Sequence, residues 1–305
     1  MFSNMIKQSL TVRWQPGRDL GAVFVSWVLV VGALYTATVL VGTEVWGGMA
    51  YFLLYGILAA GIFGVGIPLY WTVVVKKRPL SDLGITKRWL WLSLGLQLIF
   101  AVGQYAGTLA KSSLPDFESL VPLLALSLTI GFFEAVFWRG WVLLRLEESF
   151  GLIPAILLGS ALYAAYHIGY GMPLNEMVFL FFIGMMYAVV FRLTKNIFIL
   201  WPVFQPMGQL VTLIKDGLEL PLLAGLGFAE LLIGMFVLLW LAGRYLKKHS
   251  QVRKKAASQS DRFLETSCFI ISDAQGRIIS STKSHRFTID TQTESSPCLH
   301  INTGK

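Results

Sequence analysis

The chain alternates between long apolar runs and short polar connections that carry most of its charge. Eight apolar runs of about twenty residues lie at approximately 20–42, 48–75, 89–110, 119–145, 151–170, 177–193, 196–214 and 220–243. A run of this length crosses the hydrocarbon core of a bilayer as one α-helix. The pattern therefore predicts an all-α fold, a multipass transmembrane helical bundle of about eight spans within residues 1–249.

Positive charges are concentrated in every second connection between these runs. The connections that carry them hold, in chain order, Lys7, Arg13 and Arg18; Lys76, Lys77, Arg78, Lys87 and Arg88; Arg145; Arg192 and Lys195; and Arg244, Lys247, Lys248, Arg253, Lys254 and Lys255. The alternate connections hold only Lys111 and Lys215. Because Lys and Arg are retained on the cytosolic side, we predict a multipass protein of the cell (plasma) membrane with both termini cytosolic.

The composition agrees with a membrane protein and argues against other classes. Hydrophobic residues make up 55% of the 305 residues and charged residues only 14%, whereas a soluble domain has roughly a quarter of its residues charged. The net charge of +8 comes from the connections and not from one basic face, as in loops that face an anionic lipid surface. We therefore expect membrane lipids as partners and no nucleic acid.

The segment 250–305 differs in character from the membrane domain. It begins as a polar linker and is rich in Ser and Thr, so we predict a cytosolic tail that is largely disordered. An alternative for part of it is a hairpin of 268–271 with 278–279, although an isolated hairpin is marginal in water. Both cysteines, Cys268 and Cys298, lie in this tail, where a disulfide is not expected.

Polar side chains inside three of the apolar runs are the candidates for chemistry. The fourth run contains Glu134 and Arg139, and a charge at bilayer depth costs a few kcal/mol. The fifth contains His167, and the seventh contains Gln205 and Gln209 on one helical face. The carboxylate, the imidazole and the first amide each lie within about 8 Å of the midpoint of their run. Three helices can therefore bring them to one buried site.

Such a site suits peptide hydrolysis in a cavity with restricted access to water. A carboxylate beside an imidazole can hold and deprotonate a water molecule, and amide donors can stabilise the oxyanion that forms. Each residue also has a structural alternative. Glu134 can pair with Arg139 to fix helix packing, His167 can be a hydrogen-bonded core residue, and the two glutamines can join helices.

Helical geometry adds three expectations about these runs. The two ionisable groups of the fourth run are five residues apart, about 140° on an α-helix. They are thus predicted on different faces, and Arg139 is expected to reach a neighbouring helix, a carbonyl or the cytosolic interface. Tyr163 lies one turn before His167 and is expected to pack on its ring. Pro202 and Pro206 lack an amide hydrogen, so the seventh run is expected to be kinked.

Metal binding is less well supported by the sequence. His167 is the only histidine in the apolar part of the chain. Together with Glu134 it falls short of the three protein ligands that a catalytic zinc usually has. No cofactor is expected, and a metal stays an open alternative.

Three short stretches carry a resemblance to a known family. Residues 134–139 read Glu-Ala-Val-Phe-Trp-Arg and precede Gly140, residues 163–167 read Tyr-Ala-Ala-Tyr-His, and residues 205–209 read Gln-Pro-Met-Gly-Gln. They resemble the Glu-Glu-x-x-x-Arg, Phe-x-x-x-His and His-x-x-x-Asn/Asp motifs of the CPBP (CAAX protease and bacteriocin-processing) intramembrane endopeptidases, also called Abi or type II CAAX prenyl proteases. The likeness is best over residues 78–214.

The resemblance implies an intramembrane peptidase, a hydrolase, and assigns roles to residues. Glu134 and His167 would activate the water, and Gln205 and Gln209 stand where the family is thought to form its oxyanion hole. Arg139 would structure the span that carries Glu134, and the Tyr163 position belongs to the second motif. The substrate would be a membrane-associated peptide or a lipidated protein.

The chain also departs from the family pattern. Ala135 replaces the second glutamate, and both residues of the third motif are glutamine. Because losing one oxyanion donor costs about 10²–10³ in rate, the alternative is a catalytically impaired member that acts as a membrane binding or scaffold protein. A transporter with Glu134 and His167 as a proton relay is a weaker alternative, because no pair of broken helices is seen in matching halves.

Overall fold

A computed structural model describes residues 12–41, 49–111, 115–266, 268–272, 278–281 and 298–302. The chain forms two compact units, Met1–Gly243 and Arg244–Lys305. The helices of the described part are α1 (Arg18–Val39), α2 (Met49–Val75), α3 (Leu90–Leu109), α4 (Phe117–Phe150), α5 (Leu152–Tyr170), α6 (Leu174–Thr194), α7 (Phe204–Lys215) and α8 (Leu222–Thr266). The predicted all-α multipass bundle is confirmed.

Seven of these helices are long and apolar enough to cross a membrane: α1 to α6 and the segment Leu222–His249 of α8. The predicted span at 196–214 differs. It consists of a 3-10 turn, Ile197–Ile199, followed by the 12-residue helix α7. At 1.5 Å per residue α7 is about 18 Å long, whereas the hydrocarbon core is about 30 Å thick. The helix begins only after Pro202, which lacks the amide hydrogen that an α-helix interior requires.

The central helix of the membrane domain is α4. All of its residues from Thr129 to Leu143 are buried, including the large side chains of Trp138 and Trp141. Its segment Ala135–Leu143 is π-helical, with hydrogen bonds from residue i to i+5. The regular α-helical spacing used for the two ionisable groups of this run therefore does not describe the segment between them. Glu134 contacts Tyr166 and Gln205, whereas Arg139 contacts Tyr163 and Tyr187.

Small residues allow other segments to approach α4 closely. A Cβ atom on Gly140 would lie 2.2 Å from the carbonyl oxygen of Leu83, in the short 3-10 turn Leu80–Leu83 between α2 and α3. A Cβ atom on Gly131 would lie 2.6 Å from the ring of Pro206 in α7. These contacts place α7 directly beside the middle of α4.

The second unit contains strands in addition to the end of α8. Strands β1 (Cys268–Ser272), β2 (Ile278–Ser281) and β3 (Cys298–Asn302) form a sheet in the order β2-β1-β3. The first two are antiparallel, as in the hairpin that the sequence allows, and β3 is parallel to β1. The division at residue 250, the extent of disorder in the tail and the cytosolic position of both termini stay predictions.

Candidate functional site

The carboxylate of Glu134 is the centre of the buried polar cluster in the membrane domain. The residue is 2% exposed and ends the α-helical part of α4. Its Oε1 accepts a hydrogen bond from the hydroxyl of Tyr166. Its Oε2 accepts a hydrogen bond of 2.5 Å from Nε2 of Gln205. Donors from α5 and α7 thus hold both oxygens.

Local packing explains why the glutamine reaches this carboxylate. Gln205 lies in the first turn of α7, is 1% exposed, and its backbone amide donates to the carbonyl of Leu200. The glycine at position 131, one turn before Glu134, leaves room for the Pro206 ring. Gln209 follows one turn later, within interaction range of the same carboxylate.

His167 lies beside this cluster but makes no hydrogen bond to Glu134 in the described part of the chain. It is 8% exposed and belongs to the 3-10 turn Tyr166–Tyr170 that ends α5. Its Nδ1 lies 2.9 Å from the carbonyl oxygen of Tyr163. A carbonyl only accepts, so Nδ1 carries the proton and Nε2 presents a lone pair. The imidazole is thus oriented as a hydrogen-bond acceptor.

Three tyrosine rings surround the imidazole. The centroid of the His167 ring lies 4.3 Å from that of Tyr166, 5.2 Å from that of Tyr163 and 5.5 Å from that of Tyr170. The expected packing of Tyr163 on His167 is confirmed. These rings fix the plane of the imidazole and cover most of it.

Tyr166 is the residue of this site that the sequence analysis missed. Its hydroxyl bonds to Glu134 and its ring packs on His167, so it links the two groups that were expected to act together. On a regular α-helix adjacent residues point about 100° apart, and this spacing gave no reason to choose Tyr166. The sequence feature that could have identified Tyr166 is its hydroxyl group, directly before the histidine of an apolar run.

Arg139 is completely buried inside the protein. Its guanidinium carbon lies 5.2 Å from the ring centroid of Tyr163 on α5 and 5.9 Å from that of Tyr187 on α6. The expected contact with neighbouring helices is therefore found. None of its three side-chain nitrogens has a hydrogen-bond partner in the described part of the chain, and no ion pair with Glu134 occurs there.

The glutamines also retain unused groups. The Oε1 atoms of Gln205 and Gln209 are buried and lack hydrogen-bond partners among the described residues. The structure therefore brings Gln205 onto Glu134 as a donor and places Gln209 within interaction range of the same carboxylate. Each amide nitrogen carries two hydrogens, so Gln205 retains one N–H beyond the bond to Glu134.

A metal centre is not built by the described residues. No group of three or more His, Cys, Asp or Glu side chains lies together in the part of the chain that the structure covers. The polar atoms around Glu134 come instead from tyrosine hydroxyls and glutamine amides. They suit the binding of a water molecule or a carbonyl oxygen.

Comparison with models of known protein families gives a match. Residues 116–203 match the family model described as Type II CAAX prenyl endopeptidase Rce1-like. No curated protein and no solved structure matches the chain. The matched segment contains Glu134, Arg139 and His167 and ends two residues before Gln205. The resemblance to this family is confirmed over these residues.

Proposed function

Because residues 116–203 match a family of CAAX prenyl endopeptidases, we propose that the protein is an intramembrane endopeptidase of the plasma membrane. Its substrate would be a membrane-associated or lipidated peptide. The observation that carries the proposal is the buried carboxylate of Glu134, held at both oxygens by donors from two other helices. A fixed carboxylate next to an oriented imidazole has the components needed to activate a water molecule.

In the proposed reaction Glu134 acts as the general base. Its carboxylate takes a proton from a water molecule that Nε2 of His167 orients, and the water oxygen attacks the carbonyl carbon of the scissile peptide bond. The resulting oxyanion is stabilised by the free N–H groups of Gln205 and Gln209. When the C–N bond breaks, the proton on Glu134 passes to the leaving amine. Tyr166 keeps the carboxylate in place throughout.

The second candidate is a catalytically impaired member that binds a membrane partner. Two observations favour it. The carboxylate of Glu134 is already hydrogen-bonded by Tyr166 and Gln205, and His167 makes no hydrogen bond to it in the described residues. A water molecule would have to use the remaining lone pairs of Glu134. This candidate predicts that a Glu134→Gln variant, which lacks the proposed base, retains the biological phenotype of the wild type.

The deciding experiment compares cleavage of a peptide library by purified variants. The library contains unmodified peptides and peptides with a lipidated cysteine near the C-terminus. We expect Glu134→Gln to lower the rate by about 10²–10⁴, the usual contribution of a general base, with an unchanged melting temperature. His167→Ala should also lose most of the activity.

Glu118→Gln is the matched control, because it makes the same change on the same helix at an exposed position. It should retain wild-type activity. Full activity in Glu134→Gln would refute the assigned base, and activity that a chelator removes would show a metal-dependent reaction. Absence of cleavage in the wild type, with an intact phenotype in Glu134→Gln, would favour the scaffold.

A further inference from the structure

The guanidinium of Arg139 is a buried cation whose hydrogen-bonding capacity is unused. The residue is 0% exposed, and Nε and both terminal nitrogens lack acceptors in the described part of the chain. Burying a charge without a partner is costly. Structures normally avoid that cost by pairing the charge, so an arginine in this state needs an anion.

The aromatic neighbours of Arg139 do not supply acceptors. The rings of Tyr163 and Tyr187 lie 5.2 Å and 5.9 Å from the guanidinium carbon, which gives cation–π attraction. The five N–H groups point outward in the guanidinium plane, and the hydroxyl of Tyr187 is shared with that of Tyr105 at 3.1 Å. The Oγ atom of Ser160, one turn before Tyr163, is also buried without a partner.

The residue that could neutralise Arg139 within the helix is absent. Ala135 lies four positions before it, at the start of the π-helical segment, and has no polar group. Glu134 is the nearest carboxylate along α4 and attracts the guanidinium electrostatically. It makes no ion pair with Arg139 in the described residues, and its oxygens accept hydrogen bonds from Tyr166 and Gln205. The described residues therefore leave the planar donor set of Arg139 without acceptors, and such a donor set can bind a carboxylate through two parallel hydrogen bonds.

We propose that Arg139 binds a carboxylate group of the ligand. The peptide nature of the ligand rests on the proposed function, whereas the carboxylate follows from the unpaired guanidinium. Two parts of a peptide carry this group, the free C-terminus and an Asp or Glu side chain. The tyrosines at positions 163 and 187 hold the guanidinium plane, and the ligand supplies the missing negative charge.

The first test needs no ligand and compares Ala135→Glu with Ala135→Gln. The two side chains have nearly the same size, so they share any steric cost, and only glutamate brings a carboxylate to Arg139. We expect the glutamate variant to melt at least about 3 °C higher than the glutamine variant, a shift that corresponds to roughly one kcal/mol in a protein of this size. A lower melting temperature for Ala135→Glu would overturn the proposal.

The second test measures binding of three fluorescent peptides that contain an S-farnesyl cysteine four residues from the end. One has a free C-terminal carboxylate, one a C-terminal amide, and one an amide with a glutamate in the last position. Binding is measured in the Glu134→Gln background, so cleavage does not interfere. We expect the free acid to bind at least about 10-fold more tightly than the plain amide. Rescue by the glutamate peptide would identify an acidic side chain as an equivalent ligand.

Arg139→Gln should abolish the difference between acid and amide, and Ala135→Glu should do the same by occupying the guanidinium. Arg145→Gln is the matched control on the same helix. Arg145 is 2% exposed and has its own acceptors, Oε2 of Glu148 and the carbonyl of Asp82, each at 3.0 Å. Its replacement should lower stability and leave the preference for the acid unchanged.

The two proposals fail in different ways. Acid and amide peptides that bind equally well, beside a wild type that cleaves them, would refute the role of Arg139 and retain the peptidase. A preference for the acid that depends on Arg139, beside a wild type that cleaves nothing, would refute the peptidase and retain the carboxylate site. If the peptides bind too weakly for their affinities to be ranked, the melting temperatures of Ala135→Glu and Ala135→Gln decide whether Arg139 lacks an acceptor.

Discussion

Glu134 and Arg139, two buried charged residues of α4, differ in whether the protein supplies them with hydrogen-bond partners. Glu134 receives donors from Tyr166 and Gln205, whereas Arg139 receives no acceptor from the described residues. Since an unpaired buried charge costs more than a paired one, the two groups should respond oppositely to substitution. Glu134 should lose function when a donor is removed, and Arg139 should gain stability when an acceptor is added.

The substitution Tyr166→Phe removes the hydroxyl that donates to Glu134 and retains the ring that packs on His167. We expect kcat to fall about 10²-fold with little change in KM, because a small displacement of a catalytic group costs about that much. Steady-state kinetics on a cleaved peptide measure both constants. Restoring tyrosine at this position should restore the rate.

Tyr55→Phe is the control for this substitution, because it also removes a hydroxyl from a buried tyrosine. That hydroxyl bonds to the hydroxyl of Tyr170 at 2.7 Å and not to Glu134. A similar loss of stability in Tyr166→Phe and Tyr55→Phe does not contradict the prediction. An equal loss of kcat in both would show that Tyr166 acts only through packing.

At the scale of elements, α4 determines the geometry of the site. Glu134 directly precedes its π-helical segment and Arg139 lies within it. The glycines of α4 permit close approach of α7 and of the turn Leu80–Leu83. The glutamine of α7 reaches Glu134 only because the helices touch at Gly131. The spacing between elements is thus fixed by positions that have no side chain.

Gly140→Ala tests this spacing. A Cβ atom there would lie 2.2 Å from the carbonyl oxygen of Leu83 and 2.9 Å from its carbonyl carbon. These are backbone atoms that cannot rotate away, so the turn or α4 must shift. We expect the free energy of unfolding to fall by about 1–3 kcal/mol, the usual cost of overpacking. Thermal unfolding in detergent measures the change.

The control is Gly95→Ala in α3, where no atom lies within 4 Å of the added Cβ atom. Alanine is favoured over glycine in a helix by up to about 1 kcal/mol, so its melting temperature should be equal to or higher than that of the wild type. If both alanine variants melted alike, close packing at Gly140 would not be limiting.

On the scale of the whole molecule, polar contacts join connections that are distant in sequence. Asp19 of α1 pairs with Lys76 at 2.7 Å, Glu148 of α4 with Arg78 at 3.1 Å, and Glu147 with Arg192 of α6 at 3.2 Å. Each such pair contributes little alone. Together they gather the helix ends that the charge pattern assigns to one side of the membrane.

Asn196 is a fully buried residue that also joins segments distant in sequence. Its Nδ2 donates to the carbonyls of Thr86 and Arg88, both at 3.0 Å, and its Oδ1 accepts from the amide of Phe198 at 3.2 Å. Asn196→Ala leaves the carbonyls of Thr86 and Arg88 and the amide of Phe198 without these partly buried hydrogen bonds. We expect a loss of about 3 kcal/mol in the free energy of unfolding, measured by denaturation in detergent.

Asn175→Ala is the control, because Asn175 is exposed at the start of α6. It should change the free energy of unfolding by less than about 0.5 kcal/mol. A small effect at both asparagines would mean that the segment after α6 is not held by this side chain.

The predicted cytosolic position of both termini requires an even number of membrane crossings. Seven helices in the described part of the chain have spanning length, so this prediction assigns the eighth crossing to the segment from Asn196 to Lys215. A non-helical stretch at membrane depth is tolerated where protein buries it, and Ile197, Ile199 and Leu200 are fully buried.

The chain's own cysteines test this arrangement, because both lie in the C-terminal tail. We expect a membrane-impermeant maleimide to label Cys268 and Cys298 only after the cells are permeabilised, and an N-terminal epitope tag to behave in the same way. Lys111→Cys, in a connection predicted on the opposite side, should be labelled in intact cells. Labelling of the wild type in intact cells would contradict a cytosolic C-terminus.

The sequence by itself determined the class of protein, seven of the eight predicted helical spans and the residues that carry charge into the apolar runs. These features are local, because a span depends on the hydrophobicity of about twenty consecutive residues and a buried charge is conspicuous within it. Glu134 and His167 were identified on this ground alone. The motifs that contain them also carry the resemblance to the CAAX prenyl endopeptidases, and a model of this family matches residues 116–203.

Only the tertiary structure decided which of these groups meet. The bonds of Glu134 to Tyr166 and Gln205 depend on the packing of three helices, and the link between Glu134 and His167 runs through a tyrosine that helical periodicity did not select. The π-helical segment of α4 was likewise not given by the spacing of polar and apolar residues. Sequence periodicity assumes a regular helix, and the polar site lies where α4, α5 and α7 all depart from one.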